Sequence, residues 1–129
     1  MSSTHSIRIA RAPGPDEGEV TSEVQARPAR TRWRVLDRFR DAADVVATPE
    51  TGRTHQIRIH LREIGHPLLG DKAYGGPAFL TRDDGARHDF ARPMLHALSL
   101  SLRHLDGRLL QLRAPLPADF ESARAFLAR

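Results

Sequence analysis

The most informative part of the sequence is TGRTHQIRIHL at residues 51–61, which continues into GHPLLGDKAYG at residues 65–75. It places arginines, histidines and a glutamine in a short helical pattern with glycines on both sides. Few other stretches of the chain hold as many side chains able to bind a polar ligand. We therefore place the candidate functional site here and interpret the rest of the chain outward from it.

The apolar residues of this stretch predict a helix over residues 54–64. Ile57, Leu61 and Ile64 recur at the spacing of one buried helical face. Thr54 is a residue type that caps helix N-termini, and Gly65 stands where a left-handed C-terminal residue is expected. One face of the helix should therefore pack against a core.

The other face of the predicted helix carries polar groups. His55, Arg58 and Arg62 share a side, because they are separated by three and four residues. Arg53 precedes the helix, where free backbone N–H groups add positive potential that suits a phosphate or a carboxylate. The alternative is that Arg53 and Arg58 are two solvated surface arginines. The neighbouring glycine, histidine and glutamine favour an anion site.

The histidines of the stretch do not have metal-binding spacing. His55, His60 and His66 are five and six residues apart, whereas two zinc ligands on one helix are separated by four. The chain has no cysteine, which excludes a disulfide, a thiolate metal site and a cysteine nucleophile. We predict no metal and assign these histidines to hydrogen bonds in a polar environment.

Alternating residues predict strands before the helix. Residues 6–11 alternate weakly and predict a short strand that residues 13–16 break. Residues 18–28 have little periodicity and predict a loop with one edge strand at most. Between residues 29 and 39, Thr31, Trp33 and Val35 alternate with arginines, which predicts a strand with one apolar and one basic face. Residues 41–48 predict its partner strand.

The second half of the chain predicts a hairpin and a terminal helix. Residues 76–93 are polar and irregular, which indicates a mobile surface loop. Alternating leucines over 94–102 and 110–114 predict two strands joined across Asp106 and Gly107. Residues 118–129 predict an amphipathic helix. The predicted fold class is α+β, with a mixed, mainly antiparallel sheet and flanking helices in one domain over residues 1–129.

The charge of the chain points to a polyanionic partner. The net charge is +4 and the isoelectric point is about 10.8. Lys72 is the only lysine, so nearly all positive charge is arginine, which binds phosphate through a planar fork. A coding bias toward arginine is the alternative. No signal peptide or membrane span is evident, so we expect a cytoplasmic, soluble protein.

These motifs resemble a known family. The segments at 51–58, 65–71 and 74–75 are similar to the C-terminal signature of the RluA-type RNA pseudouridine synthases. The similarity extends over residues 29–120, through LHA at 95–97 and APLP at 114–117. The resemblance implies a partial pseudouridine synthase catalytic domain that isomerises uridine in rRNA or tRNA. It implies a flipped base, an attacking aspartate and neither a metal nor an organic cofactor.

The resemblance also implies roles for individual residues. Arg58 corresponds to the arginine that pairs with the nucleophilic aspartate, and Leu95 to an apolar residue lining the uracil pocket. Arg53 is then a contact to the RNA backbone. The predicted RNA- or substrate-binding set is Arg53, His55, Gln56, Arg62, Lys72 and Leu95.

The chain departs from the family in one respect. The family's nucleophile lies in an HRLDxxTSG motif, followed by a YxA segment that supplies a tyrosine, and neither occurs in this sequence. Asp106 falls at the predicted hairpin turn and Tyr74 in the GDxxYG loop, so neither replaces them. We expect this chain alone to be inactive. It is then an RNA-binding remnant, or one piece of a split or mis-started gene product whose missing N-terminal half lies elsewhere.

Overall fold

A computed structural model of the chain describes residues 2–11, 13–103 and 109–128. Its strands are β1 (Ser2–Ala10), β2 (Glu17–Thr21), β3 (Arg30–Arg38), β4 (Ala42–Pro49), β5 (Phe79–Thr81), β6 (Arg87–Asp89), β7 (Leu95–Arg103) and β8 (Leu109–Arg113). Its helices are α1 (Gln56–Glu63) and α2 (Ala118–Leu127), and a 3-10 turn spans Lys72–Tyr74.

Six strands form one sheet in the order β2-β3-β4-β1-β7-β8, and every neighbouring pair is antiparallel. The predicted α+β class with a mainly antiparallel sheet is thereby confirmed. The predicted partner strands pair as β3 and β4, and the predicted hairpin strands pair as β7 and β8. The proposed turn at Asp106 and Gly107 lies outside the described residues. The weakly patterned first strand, β1, lies between β4 and β7.

One face of the sheet packs against α1. Ile7 of β1 lies opposite Val45 of β4, and both are fully buried together with Ile9. Ile57 and Leu61 of α1 complete this cluster. The predicted apolar stripe of α1 therefore packs against the apolar face that alternate residues of the strands form.

The opposite face of the sheet packs against α2. Phe120 and Ala123 of α2 are fully buried in a second cluster with Ala42, Phe90 and Met94. The predicted amphipathic C-terminal helix is thus confirmed within residues 118–127. With α1 on one face and α2 on the other, the centre of the sheet is covered on both sides.

The start of α1 differs from the prediction. The helix begins at Gln56, and its N-cap residue is His55, which adopts a left-handed conformation with φ 54°. The prediction of Thr54 as the N-cap is wrong, because the Gln56 side chain fixes the entry to the helix by accepting from Arg53 N at 3.2 Å. Gly65 follows the helix at φ +84°, as predicted for a left-handed residue.

Residues 76–93 also differ from the predicted loop. Within them β5 and β6 pair as a short two-stranded sheet, and Phe90 is buried beneath α2. The strands have three residues each, too short for alternation to reveal them. Neither helix in the described ranges has the length and apolar character needed to cross a membrane.

Candidate functional site

An open pocket of about 540 Å³ lies at the N-terminal end of α1. It lies between the turn after β4, the middle of β1 and the start of β7. Its lining residues are His5, Pro49, Glu50, Thr51, Gly52, Arg53, His55, Gln56, Ile57, Arg58 and Leu95. Five predicted site residues are brought together here, although they come from two regions separated by about 40 residues of sequence. Arg62 and Lys72 are not among the lining residues.

Arg58 projects from α1 and forms a two-point ion pair with Asp71. Its Nε donates to Asp71 Oδ2 at 2.9 Å and its Nη2 donates to Asp71 Oδ1 at 2.8 Å. The Asp71 side chain is fully buried, and that of Arg58 is 19% exposed. These hydrogen bonds raise the pKa of Arg58 above its ordinary value, so the guanidinium stays charged. Its predicted pairing with a nucleophilic aspartate stays a prediction.

Tyr74 joins the three residues that were predicted to share a side of α1. The Arg58 and Arg62 guanidinium carbons lie 4.9 and 5.2 Å from the centroid of the Tyr74 ring. The Tyr74 hydroxyl lies 2.9 Å from His55 Nδ1. Cations are attracted to the face of an aromatic ring at these distances. Arg62 is therefore linked to the pocket through Tyr74.

The side-chain amide of Gln56 forms hydrogen bonds within the protein. It is buried, and its Nε2 donates to Arg30 O at 2.7 Å and to Thr31 Oγ1 at 2.9 Å. Its amide thus fastens the start of α1 to β3, and its predicted contact to RNA stays a prediction. Arg53 donates from Nε to Pro28 O at 3.0 Å, and Lys72 is exposed on the 3-10 turn.

The remaining histidines of the signature have hydrogen-bonding roles. His60 is fully buried, with Nδ1 at 2.8 Å from Thr31 Oγ1 and Nε2 at 3.0 Å from Ser22 O. His66 Nδ1 lies 3.1 Å from Arg11 O. Among the described residues, no three histidine or acidic side chains meet in a group that could hold a metal ion.

His5 lines the pocket and was not predicted from the sequence. Its Nδ1 is buried without a hydrogen-bond partner among the described residues. Burial, and secondarily the nearby His96 ring, lowers the pKa of His5 below its ordinary value. No local signal marks His5, because only the pairing of β1 with β4 and β7 brings it to the pocket.

Glu50 is the one carboxylate among the described residues that line the pocket. Its Oε2 accepts from Arg30 at 3.2 Å and its Oε1 accepts from Arg32 at 3.3 Å. The hydrogen bond from Arg30 is the main cause that lowers the pKa of Glu50. Both oxygens are thus engaged, as are both oxygens of the buried Asp71.

The sequence of this chain is similar to proteins of one family. A sequence model of the family described as RNA pseudouridylate synthase matches residues 9–63. Ribosomal large subunit pseudouridine synthase D of Haemophilus ducreyi is 46% identical over 104 residues, which cover 73% of this chain and 31% of that protein. An uncharacterized RNA pseudouridine synthase of Synechocystis is 37% identical over 127 residues, which cover 96% of this chain and 37% of that protein.

Solved structures share the fold. Human RNA Pseudouridylate Synthase Domain Containing 4 superposes with a TM-score of 0.77 over 98% of this chain and 62% of that chain. Human RNA Pseudouridylate Synthase Domain Containing 1 gives a TM-score of 0.71 over 90% of this chain. Both are 22% identical to it in sequence, so they establish the fold alone.

The resemblance to the RluA-type RNA pseudouridine synthases is confirmed: the chain is a relative of these RNA-modifying proteins. It spans about a third of the length of the curated relatives it matches.

Proposed function

We propose that this chain forms the arginine-bearing, RNA-contacting part of an RNA pseudouridine synthase and does not isomerise uridine by itself. The proposal rests on the surroundings of the two carboxylates in or next to the pocket, Asp71 and Glu50. Asp71 is buried against Arg58, and Glu50 is bound by two arginines. Asp71 is fully buried and does not line the pocket, and both oxygens of Glu50 already accept from arginines, so we assign the attack to neither of them.

Pseudouridine formation in this family requires an attacking carboxylate. Conversion of uridine to pseudouridine breaks the bond from N1 to C1′, forms a bond from C5 to C1′, releases the C5 proton to solvent and leaves N1 carrying a proton taken from solvent. In the family resembled, an aspartate attacks to allow this exchange, and it lies in the HRLDxxTSG motif that this sequence lacks. We propose that the aspartate comes from residues outside these 129 and meets Arg58.

The pocket supports an RNA ligand. Its lining combines cations, Arg53 and Arg58, with the apolar side chains of Ile57 and Leu95. Arginines hold phosphates, and an apolar wall suits the face of a flipped uracil. Arg62 on α1 and Lys72 on the 3-10 turn that contacts α1 add further positive charge. The RNA is rRNA or tRNA, and the protein acts in the cytoplasm, where those RNAs are found.

A binding titration tests the proposal. Fluorescence anisotropy of a labelled rRNA hairpin should report binding that weakens steeply between about 50 and 200 mM salt. Arg58→Ala should weaken it about tenfold and reduce the salt slope by about one. Arg87→Ala removes an exposed arginine outside the pocket and should change affinity little. Binding that is absent, or equally insensitive to salt and to Arg58→Ala, contradicts the proposal.

A split or mis-started gene product is the second candidate, because the chain spans only about a third of its relatives. The nucleotides upstream of the Met1 codon can be translated in all frames. An in-frame segment with HRLDxxTSG would supply the nucleophile and make the longer product an enzyme. Upstream sequence without that motif in any frame would favour an RNA-binding remnant.

A further inference from the structure

We propose that Asp71 is a positioning residue, which holds the Arg58 guanidinium in the one orientation that presents its remaining donors to RNA. The inference rests on the function proposed above. It assigns a role to Asp71 of the GDKAYG loop at residues 70–75, none of which lines the pocket.

The ion pair uses only one side of the guanidinium. An arginine has five N–H donors in a fixed plane, and Asp71 accepts one from Nε and one from Nη2. Three donors are left, and Nη1 has no hydrogen-bond partner among the described residues. Arg58 lines the pocket, and the proposal is that the unused side of its fork binds an anion there. Tyr74 lies against the guanidinium and limits rotation of its plane.

The loop holds Asp71 firmly. The Asp71 carbonyl accepts from Tyr74 N at 3.1 Å and from Gly76 N at 2.7 Å, and Asp71 N donates to Leu68 O at 3.2 Å. A Cβ on Gly76 would lie 1.9 Å from Leu68 O, so only glycine allows this close turn. The Asp71 carboxylate therefore has little freedom to follow a moving arginine.

Burial makes the pair persistent. A fully buried carboxylate that lost its partner would be an uncompensated charge in a medium of low polarity, which is strongly unfavourable. An anion entering the pocket should therefore bind Arg58 while Asp71 still holds it, without displacing Asp71. The carboxylate serves to orient the cation and does not compete for it.

A positioning role and a purely electrostatic role of Asp71 predict opposite changes in RNA affinity when Asp71 is replaced. Asp71→Asn removes a negative charge close to the proposed RNA site, so charge alone predicts tighter binding. If Asp71 positions Arg58, the same substitution frees the guanidinium and weakens binding. The sign of the change separates the two accounts.

The test is the anisotropy titration with the labelled rRNA hairpin, on the full chain and its variants. We expect Asp71→Asn to weaken binding about tenfold, close to Arg58→Ala, and the double variant to be no weaker than Arg58→Ala. Asp89→Asn alters an exposed arginine–aspartate pair outside the pocket and should leave affinity unchanged or slightly tighter. Thermal melts establish that each variant is folded.

A second variant covers the case in which Asp71→Asn fails to fold. Arg58→Lys keeps the charge but cannot make the two-point contact. Positioning predicts affinity near that of Arg58→Ala, whereas charge alone predicts affinity near that of the unaltered chain.

The failures of the two proposals are distinguishable. If the unaltered chain binds RNA, Arg58→Ala weakens binding, and Asp71→Asn or Arg58→Lys binds as tightly as the unaltered chain, then Asp71 does not position Arg58 and the proposed function stands. If the unaltered chain does not bind RNA, both proposals are overturned.

Discussion

Arg8 of β1 and Asp44 of β4 form a buried ion pair beneath α2, with Arg8 Nε 2.6 Å from Asp44 Oδ1. Arg8 is 2% exposed, and it also donates to Phe120 O and lies against the Phe120 ring. Asp44 Oδ2 accepts from Arg124 Nη1 at 2.7 Å. The C-terminal helix is thus attached to the sheet by charge as well as by its apolar face.

Asp44→Ala should therefore be strongly destabilising. It leaves the Arg8 guanidinium buried without its carboxylate, which costs about 3–5 kcal/mol of unfolding free energy. Urea denaturation followed by circular dichroism measures this. Asp89→Ala breaks an exposed arginine–aspartate pair and serves as the matched control, with an expected loss below about 1 kcal/mol. Equal losses in the two variants would contradict the structural role given to Asp44.

Gly70 and Gly75 distinguish two reasons for a glycine, a left-handed backbone and a lack of space for a Cβ. Both have positive φ, at +80° and +83°. A Cβ on Gly70 would lie 2.1 Å from Arg92 O, whereas nothing lies within 4 Å of one on Gly75. Gly75→Ala should cost about 1–2 kcal/mol from backbone strain, and Gly70→Ala about 1–3 kcal/mol more from the clash. Urea titrations of both variants test this, and it fails if Gly70→Ala is no worse than Gly75→Ala.

His5 should make stability depend on pH. Burial lowers the pKa of His5 in the folded chain below its ordinary value of 6.5, so the unfolded chain takes up the proton first as the pH falls. This contribution to stability is present above pH 6.5 and is lost as the pH falls toward the lower folded pKa. His5→Leu removes it. The unfolding free energy of the unaltered chain should fall more between pH 7.5 and pH 5 than that of the variant. Parallel pH profiles would contradict the assignment.

Local patterns predicted the elements better than their contacts. The alternation around Trp33 predicted β3, and the three- and four-residue spacing of His55, Arg58 and Arg62 placed them on one side of α1. Their meeting around Tyr74 was not predictable, because it depends on how the loop after α1 folds back on the helix.

Long-range pairing was hidden from the sequence. Nothing local marks β1 as a strand between β4 and β7, so the presence of His5 in the pocket was missed. Arg58 and Asp71 each belong to a motif described above, but their ion pair was not predicted. It joins residues 13 positions apart across a turn, which no local pattern indicates. The family resemblance pairs Arg58 with a nucleophilic aspartate whose motif this sequence lacks. The structure instead pairs Arg58 with Asp71.

We propose that this chain contacts RNA but lacks the attacking carboxylate. The most direct measurement is release of tritium from rRNA transcribed with [5-³H]uridine, since pseudouridine formation frees the C5 hydrogen. The purified 129-residue chain, at a concentration at which anisotropy shows the RNA bound, should release no tritium above the protein-free blank. Release that rises with the amount of chain and is abolished by Arg58→Ala would contradict the account.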